Sequence, residues 1–167
     1  MSSSPLDLSG ANTSGFDALD AGRYDAEVYE MSWDAVKNAD GKGKMPTGTP
    51  MLKIQFKVME PKIDGQVVDQ DRRVFTQFVI PPKDYDEKKA STMKGMVARF
   101  FMALGFEEDQ VKSGGFDPDF DELKGTPCVV VLSKYLYPDD PETGEWRNQV
   151  KGVKPAGTGV GASTGLL

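Results

Sequence analysis

The sequence predicts a mainly β protein, a five-stranded Greek-key barrel with one helix between the third and fourth strands and flexible termini. Five segments alternate apolar and polar residues as strands do, and only one long segment has the apolar spacing of a helix. The 167 residues include 38% hydrophobic and 28% charged residues, which is typical of one folded domain. The domain is predicted at residues 16–154, between a flexible arm at 1–15 and a disordered Gly-rich tail at 155–167.

The first predicted strand, Arg23–Trp33, changes phase in its middle. Its first half places an apolar residue at alternate positions from Tyr24 to Val28, and its second half does so from Tyr29 to Trp33. Because side chains alternate strictly along a strand, a change of phase by one residue predicts a β-bulge. Bulges bend the strands of small barrels, which fits the predicted fold.

The second and third predicted strands each present one polar face. Leu52–Val58 alternates apolar residues with Lys53, Gln55 and Lys57, and Val67–Ile80 places Arg73 and Phe75 on its outward face. The phase of each strand is an assumption here, because a shift of one residue would exchange the core and surface sets.

The predicted helix is followed by two further strands. Apolar residues between Met93 and Leu104 follow helical spacing, Asp84 with Glu87 resembles a capping box, and Gly105 suits the position after the helix. A short helical turn is predicted at 107–111. The remaining strands are predicted at 128–137 and 146–153, joined by a hairpin loop at 138–145. This order of elements is that of the OB-fold, in which the sheet face and two loops often bind oligonucleotides.

Composition excludes several kinds of site. The chain has no histidine and one cysteine, Cys128, so a Ser-His-Asp triad, a His-ligated metal and an internal disulfide are excluded. The aspartates at 117, 119 and 121 do not fit a calcium loop, since Glu122 stands where glycine is required. We therefore expect no enzyme activity and no cofactor. Without a signal peptide or an apolar span, we expect a cytoplasmic protein that does not enter a membrane.

Charge is distributed unevenly along the chain. The net charge is −6, but residues 37–57 carry +4 and residues 146–167 carry +3, whereas residues 107–145 carry −8. The positive segments are the loop after the first strand, the second strand and the fifth strand, which adjoin the binding cleft of an OB-fold barrel. The local field at such a cleft can attract a polyanion even when the whole protein is acidic.

Cations beside exposed aromatic rings are typical of surfaces that bind single strands, because bases stack on the rings while cations neutralise phosphates. A strand face of this kind can equally be an ordinary solvated surface. Each of the two tryptophans, Trp33 and Trp146, can equally belong to the rim of the core. Tyr135 and Tyr137 are weaker candidates, since the sequence leaves their face open. The predicted nucleic-acid-binding residues are Trp33, Lys42, Lys44, Lys53, Lys57, Arg73, Phe75, Trp146 and Arg147.

Several short motifs, taken in order, resemble phage-encoded single-stranded-DNA-binding proteins of OB-fold type. They are Ala21-Gly-Arg-Tyr24, the segment 50–58, Arg72-Arg-Val-Phe75, Ala103-Leu-Gly105, Leu123-Lys-Gly125 and the segment 148–153. The resemblance covers about residues 16–155 and implies a non-catalytic protein that coats single-stranded DNA in phage replication or recombination, inside the infected bacterial host. It also implies phage replication or recombination proteins as partners. Many bacterial single-strand-binding proteins recruit partners through an acidic tail with a terminal Phe, and because the sequence ends GASTGLL the resemblance does not imply recruitment of this kind.

Two alternatives stay open from the sequence. An OB-fold can serve as a protein-interaction or virion-structural module, because the fold alone does not determine function. A metal-dependent nuclease using Asp119 is a weaker alternative, since the acidic residues fall in turns and helix starts. The sequence does not decide the oligomeric state, and an oligomer is compatible with it. It also leaves open the footprint and the choice between DNA and RNA.

Overall fold

A computed structural model of the chain describes residues 17–37 and 47–157. The predicted N-terminal arm, most of the predicted tail, and the predicted site residues Lys42 and Lys44 lie outside these ranges. The strands are β1 (Gly22–Ala35), β2 (Pro50–Val58), β3 (Lys62–Ile63), β4 (Gln66–Val67), β5 (Arg73–Val79), β6 (Pro127–Tyr137) and β7 (Glu145–Pro155). The helices are α1 (Glu87–Ala103), α2 (Glu108–Lys112) and α3 (Phe120–Leu123).

The long strands form one antiparallel sheet in the order β5-β2-β1-β6-β7, and β3 pairs with β4 as a separate hairpin. The prediction of a mainly β fold with five long strands and few helices is confirmed. In the described part of the chain β5 and β7 approach each other but share no ladder, so the hydrogen-bonded sheet is open. The sequence predicted a closed barrel, and the closing ladder is missing.

The β-bulge predicted in the first strand is confirmed. The register of β1 against β2 shifts between Val28 and Glu30, and this shift returns Met31 to the buried face. A second register shift, between Val131 and Leu132 where β6 pairs with β7, was not predicted. Both bulges lie in long strands, where an extra residue increases the local bend and twist.

One hydrophobic core lies between the sheet and α1. Phe56 of β2 and Phe100 of α1 are fully buried and meet edge to face, with ring centroids 6.1 Å apart. Cys128 is buried in the same core, and desolvation raises the pKa of its thiol to about 12, so the thiol stays protonated and unreactive at neutral pH. Met96, which the sequence placed on the apolar stripe, is instead 47% exposed.

The start of α1 differs from the prediction, whereas its end agrees. Asp86, not Asp84, caps the helix: its side chain accepts a hydrogen bond from the backbone N–H of Lys89 at 3.0 Å. A turn in which Tyr85 N–H donates to Pro82 C=O precedes the helix and delays its start. Gly105 follows the helix with a φ of +112°, a conformation that glycine adopts readily.

The third predicted strand is too long. Residues 62–67 form the β3–β4 hairpin around Asp64-Gly65, and the ladder with β2 begins only at Arg73. The carboxylate of Asp20 holds the turn, accepting hydrogen bonds from the backbone N–H groups of Asp64 at 2.9 Å and Gly65 at 2.7 Å. These hydrogen bonds lower the pKa of Asp20, and the bond from Gly65 has the larger effect.

The acidic segment after α2 contains a helix start. Asp119 accepts a hydrogen bond from the backbone N–H of Asp121 and caps α3, as a helix-starting acidic turn would. The longest helix in the described ranges, α1, has 17 residues and repeated charges, and none of the described helices is long and apolar enough to cross a bilayer.

Candidate nucleic-acid interface

The outward residues of β2 and β5 form a row of cross-strand pairs on the face away from the core. Because β2 buries every second residue from Leu52 to Val58, the residues between them point outward, and β5 alternates in the same phase. The pairs are Lys53 with Gln77, Gln55 with Phe75, and Lys57 with Arg73. The structure thus brings together four predicted site residues, Lys53, Lys57, Arg73 and Phe75.

Strand β1 adds a third side to this face. After the bulge, Glu30 lies opposite Gln55 and Ser32 lies opposite Lys53. Together the three strands line an open cavity of about 400 Å³. We call it the strand groove, and its outward-facing side chains are Glu30, Ser32, Lys53, Gln55, Phe75 and Gln77.

Phe75 is the prominent aromatic residue of the strand groove. Its side chain is 66% exposed, whereas the aromatic side chain of Phe56 in the neighbouring strand is fully buried. An exposed ring leaves apolar surface in water, and contact with a second flat apolar group removes that surface from water. The ring stands among polar side chains, so the groove can hold a ligand that has both a flat apolar part and polar edges.

Lys53 is held by an ion pair within this face. Its Nζ lies 2.7 Å from Oδ2 of Asp34, two residues beyond Ser32 on β1. The hydrogen bond from Lys53 and a second one from the backbone N–H of Ala35 lower the pKa of Asp34. Both partners are partly exposed, so the pair is screened by water and an incoming anion can displace the carboxylate.

Arg73 has two partners. Its Nη2 donates a hydrogen bond to Oδ2 of Asp71 at 2.9 Å, and its guanidinium carbon lies 3.9 Å from the centroid of the Tyr29 ring. The hydrogen bond to Asp71 raises the pKa of Arg73. Tyr29, the residue at the bulge of β1, therefore supports a guanidinium group on the outer face.

The charges on this face are mixed. The cations Lys53, Lys57 and Arg73 lie among the carboxylates of Glu27, Glu30, Asp34 and Asp71. Glu27 pairs directly across from Lys57. The net charges of the sequence segments predicted an excess of cations at the cleft. Among the described residues of this face, positively and negatively charged side chains instead alternate.

Trp33 lies apart from the strand groove. It follows Ser32 and precedes Asp34, which face the groove, so its side chain points to the other side of β1. There it is 59% exposed, and its ring centroid lies 5.8 Å from that of Phe120. Together with Asp117, Asp119 and Asp121 these rings border an open cavity of about 530 Å³, which we call the Trp33 cluster. The sequence grouped Trp33 with the cations, and the structure places it among carboxylates.

Trp146 and Arg147 lie on opposite faces of the β6–β7 hairpin. Arg147 pairs across from Tyr135, and its guanidinium carbon lies 4.5 Å from the centroid of the Tyr137 ring. Trp146 lies on the other face, near Ile63 and Lys134. Neither residue lines the strand groove, so the predicted grouping of these residues with Phe75 is not formed.

Sequence reasoning missed three residues of this face. Tyr29 supports Arg73, and Ser32 and Gln77 line the strand groove. The phase change in the first strand was the available signal for Tyr29, because the residue at a bulge leaves the alternation of its neighbours. Ser32 and Gln77 are common surface residue types that carry no signal of their own.

A comparison with family models gives no match to the chain, and a comparison with curated proteins gives no significant match. Among the residues that the structure describes, no three His, Cys, Asp or Glu side chains are grouped so as to hold a metal ion.

Proposed function

We propose that the chain binds single-stranded nucleic acid, DNA in the first place, along the strand groove and without strong sequence preference. The observation that carries this proposal is the exposed ring of Phe75, which stands in an open polar groove with Lys53, Lys57 and Arg73 on the same face. The role is one of binding and coating, without catalysis.

The ring supplies a binding energy that depends little on sequence. Every base has a flat apolar face, and stacking on an aromatic side chain contributes roughly 1–3 kcal/mol per base. When a base stacks on Phe75, the contacting face of the ring and the contacting face of the base are both removed from water. The polar side chains around the ring can contact its edge, and bases already stacked within a duplex do not offer that face.

The cations supply the electrostatic part. A phosphate near Lys53 or Arg73 would replace Asp34 or Asp71 as the partner, since both ion pairs lie at the surface where such pairs are weak. The carboxylates hold the cations in position in the free protein and reduce its attraction for polyanions. The affinity should consequently be modest and should fall steeply with salt.

The arrangement of strands is consistent with an OB-type barrel. We propose this finer fold because β1 is central, β2 and β5 follow on one side, β6 and β7 lie on the other, and α1 stands between the third and fourth long strands. In that fold the face of the second and third strands is a common site for oligonucleotides. The strand groove lies on this face.

The resemblance noted from the sequence supplies the proposed setting. It implies a phage protein that coats single strands during replication or recombination in the cytoplasm of the infected host, together with the proteins of that process. The motifs that carry the resemblance include the segment 50–58 and Phe75, which build the strand groove.

The proposal is tested by fluorescence anisotropy with labelled oligonucleotides at two salt concentrations. We expect oligo-dT to bind, duplex DNA of equal length to bind more weakly, and affinity to fall with salt. Tryptophan quenching is the less suitable signal, because Trp33 and Trp146 both lie off the strand groove. Absence of binding to single-stranded DNA and RNA at low salt would overturn the proposal.

The Trp33 cluster favours a second function, protein docking. An exposed tryptophan beside Phe120 and three aspartates is complementary to a protein segment that carries a basic side chain next to an apolar one. This surface would repel a phosphate backbone. It therefore fits the interaction-module alternative and can operate beside the strand groove.

Docking is tested by cross-linking from residue 33 in infected cells, with a photoreactive amino acid in place of Trp33. A specific cross-linked protein that is lost on Asp117→Lys/Asp121→Lys substitution would support docking. If no protein is captured, or if capture is unaffected by reversing these charges, the second function is wrong.

A further inference from the structure

One buried polar atom in the strand groove has no partner. The side-chain oxygen Oε1 of Gln55 is covered by the protein and accepts no hydrogen bond, and it is the one buried side-chain nitrogen or oxygen in this state within residues 17–37 and 47–157. A buried acceptor without a donor is costly, and proteins rarely keep one. Its presence in a candidate binding site indicates a donor that arrives with the ligand.

The position of Gln55 gives this atom a specific neighbourhood. Gln55 lies between Glu30 on β1 and Phe75 on β5, directly opposite each in the ladders. Directly opposed residues in antiparallel strands have Cβ atoms roughly 5 Å apart. A base stacked on the ring of Phe75 would thus have its edge within reach of the Gln55 carboxamide.

We propose that the Gln55 carboxamide recognises the Watson–Crick edge of an unpaired base that is stacked on Phe75. This inference rests on the proposed function and names what the strand groove recognises. A carboxamide has an acceptor oxygen beside a donor nitrogen. Each of the four bases offers an N–H donor beside an acceptor on its Watson–Crick edge, so the same carboxamide can pair with any of them.

Recognition of this kind distinguishes single strands from duplexes but does not distinguish one base sequence from another. In a duplex every Watson–Crick edge is already paired, so it has no free donor for Oε1. In the free protein Oε1 is covered. Rotation about the side-chain torsions of Gln55, the last of which is broad and soft for an amide, brings the carboxamide into the groove. The ligand then supplies the hydrogen bond that the free protein lacks.

Gln77 provides a matched control. It carries the same carboxamide, lines the same groove and belongs to the same face of β5 as Phe75, but it is exposed to water. Its hydrogen-bonding groups are satisfied by solvent in the free protein. Replacement of Gln77 should therefore not remove recognition of the base edge.

The test compares oligo-dT with an oligomer of N3-methylthymidine of the same length. The methyl group removes the N3–H donor but leaves the backbone charge and the stacking face. We expect the native protein to bind oligo-dT roughly three- to tenfold more tightly, the usual range for one hydrogen bond. Gln55→Leu should bind both oligomers alike, and Gln77→Leu should keep the native preference.

The outcomes separate this inference from the function on which it rests. If the native protein binds both oligomers tightly and equally, or if Gln55→Leu keeps the preference, recognition by Gln55 is wrong while single-strand binding stands. If neither oligomer binds, the proposed function itself fails.

The melting temperature of Gln55→Leu should equal or exceed that of the native protein, since an unpaired buried amide is removed. A lower melting temperature would mean that Oε1 has a hydrogen-bond partner in the free protein. The binding comparison would then be repeated with Gln55→Met.

Discussion

The strand groove and the Trp33 cluster display aromatic rings of similar exposure in different electrostatic surroundings. Phe75 is 66% exposed and Trp33 is 59% exposed. The face of Phe75 carries cations that are each close to a carboxylate, whereas Trp33 lies beside three aspartates. Exposure of a ring shows that it is free to contact a ligand, and the charges nearby decide which ligand. Only the strand groove offers cations that a phosphate can reach by displacing a carboxylate, so the two regions are expected to bind different partners.

The largest expected effect separates the two rings directly. Phe75→Ala should weaken binding to oligo-dT by roughly 1–3 kcal/mol, because a stacking surface is lost. Trp33→Ala should leave this affinity unchanged, although it removes a larger ring. Both variants are measured by anisotropy at one salt concentration.

Circular dichroism provides the control for these two variants, since both rings are exposed and neither substitution should unfold the sheet. An equal loss of affinity in the two variants would mean that the nucleic acid contacts both faces of the sheet. A loss in Trp33→Ala alone would place the site at the Trp33 cluster.

The next effect concerns charge. The double variant Lys53→Ala/Lys57→Ala should weaken binding to all sequences by a similar factor, roughly three- to tenfold at low salt, and should reduce the slope of log affinity against log salt by about two. The matched control is Lys88→Ala/Lys89→Ala in the first turn of α1, where both lysines are exposed.

An unchanged salt slope in Lys53→Ala/Lys57→Ala would show that phosphates do not contact this face. Equal losses in both double variants would show that only the total charge matters, without a localised site.

The sequence predicted those parts of the fold that depend on local periodicity. The alternation in β2 predicted its two faces and the phase change in β1 predicted the bulge, because burial of one face requires a strict period of two. Tyr29, predicted on the face of Met31, lies instead on the outer face against Arg73. The third strand was extended too far, because Val67 pairs within the β3–β4 hairpin and the ladder with β2 begins only at Arg73.

The candidate site was predicted less completely than the fold. Lys53, Lys57, Arg73 and Phe75 share a face because neighbouring strands in register place outward residues side by side, which alternation alone anticipates. Trp33 was misplaced because a residue one position from the groove points to the other side of the sheet. The carboxylates that pair with the cations come from β1 and from residue 71, and no local pattern predicts such pairs.

A smaller effect is expected from the ring beneath Arg73. Tyr29→Leu removes the cation–π contact and should weaken binding of oligo-dT about two- to fivefold, because the guanidinium is then less well positioned. Tyr137→Leu is the matched control, since it removes the corresponding contact with Arg147 on the β6–β7 hairpin. If Tyr137→Leu weakens binding as much as Tyr29→Leu, the site extends to the hairpin and the strand groove is only part of it.

The smallest effect in this series is a gain. Asp34→Asn removes the carboxylate that holds Lys53 and should tighten binding of oligo-dT about twofold at low salt, since the cation is then free for a phosphate. Asp117→Asn, in the Trp33 cluster, removes the same charge and should change the affinity little.

Because the hydrogen bond from Lys53 lowers the pKa of Asp34 below its ordinary value of 3.8, this carboxylate stabilises the folded state above pH 3.8. That contribution disappears as the pH falls through the lower pKa of the folded state. Thermal melting from pH 6 to pH 3 should therefore show a smaller acid-induced loss in Asp34→Asn than in the native protein. A variant that gains no affinity yet shows this altered acid response would mean that the ion pair forms but that no phosphate reaches Lys53, which would remove Lys53 from the site.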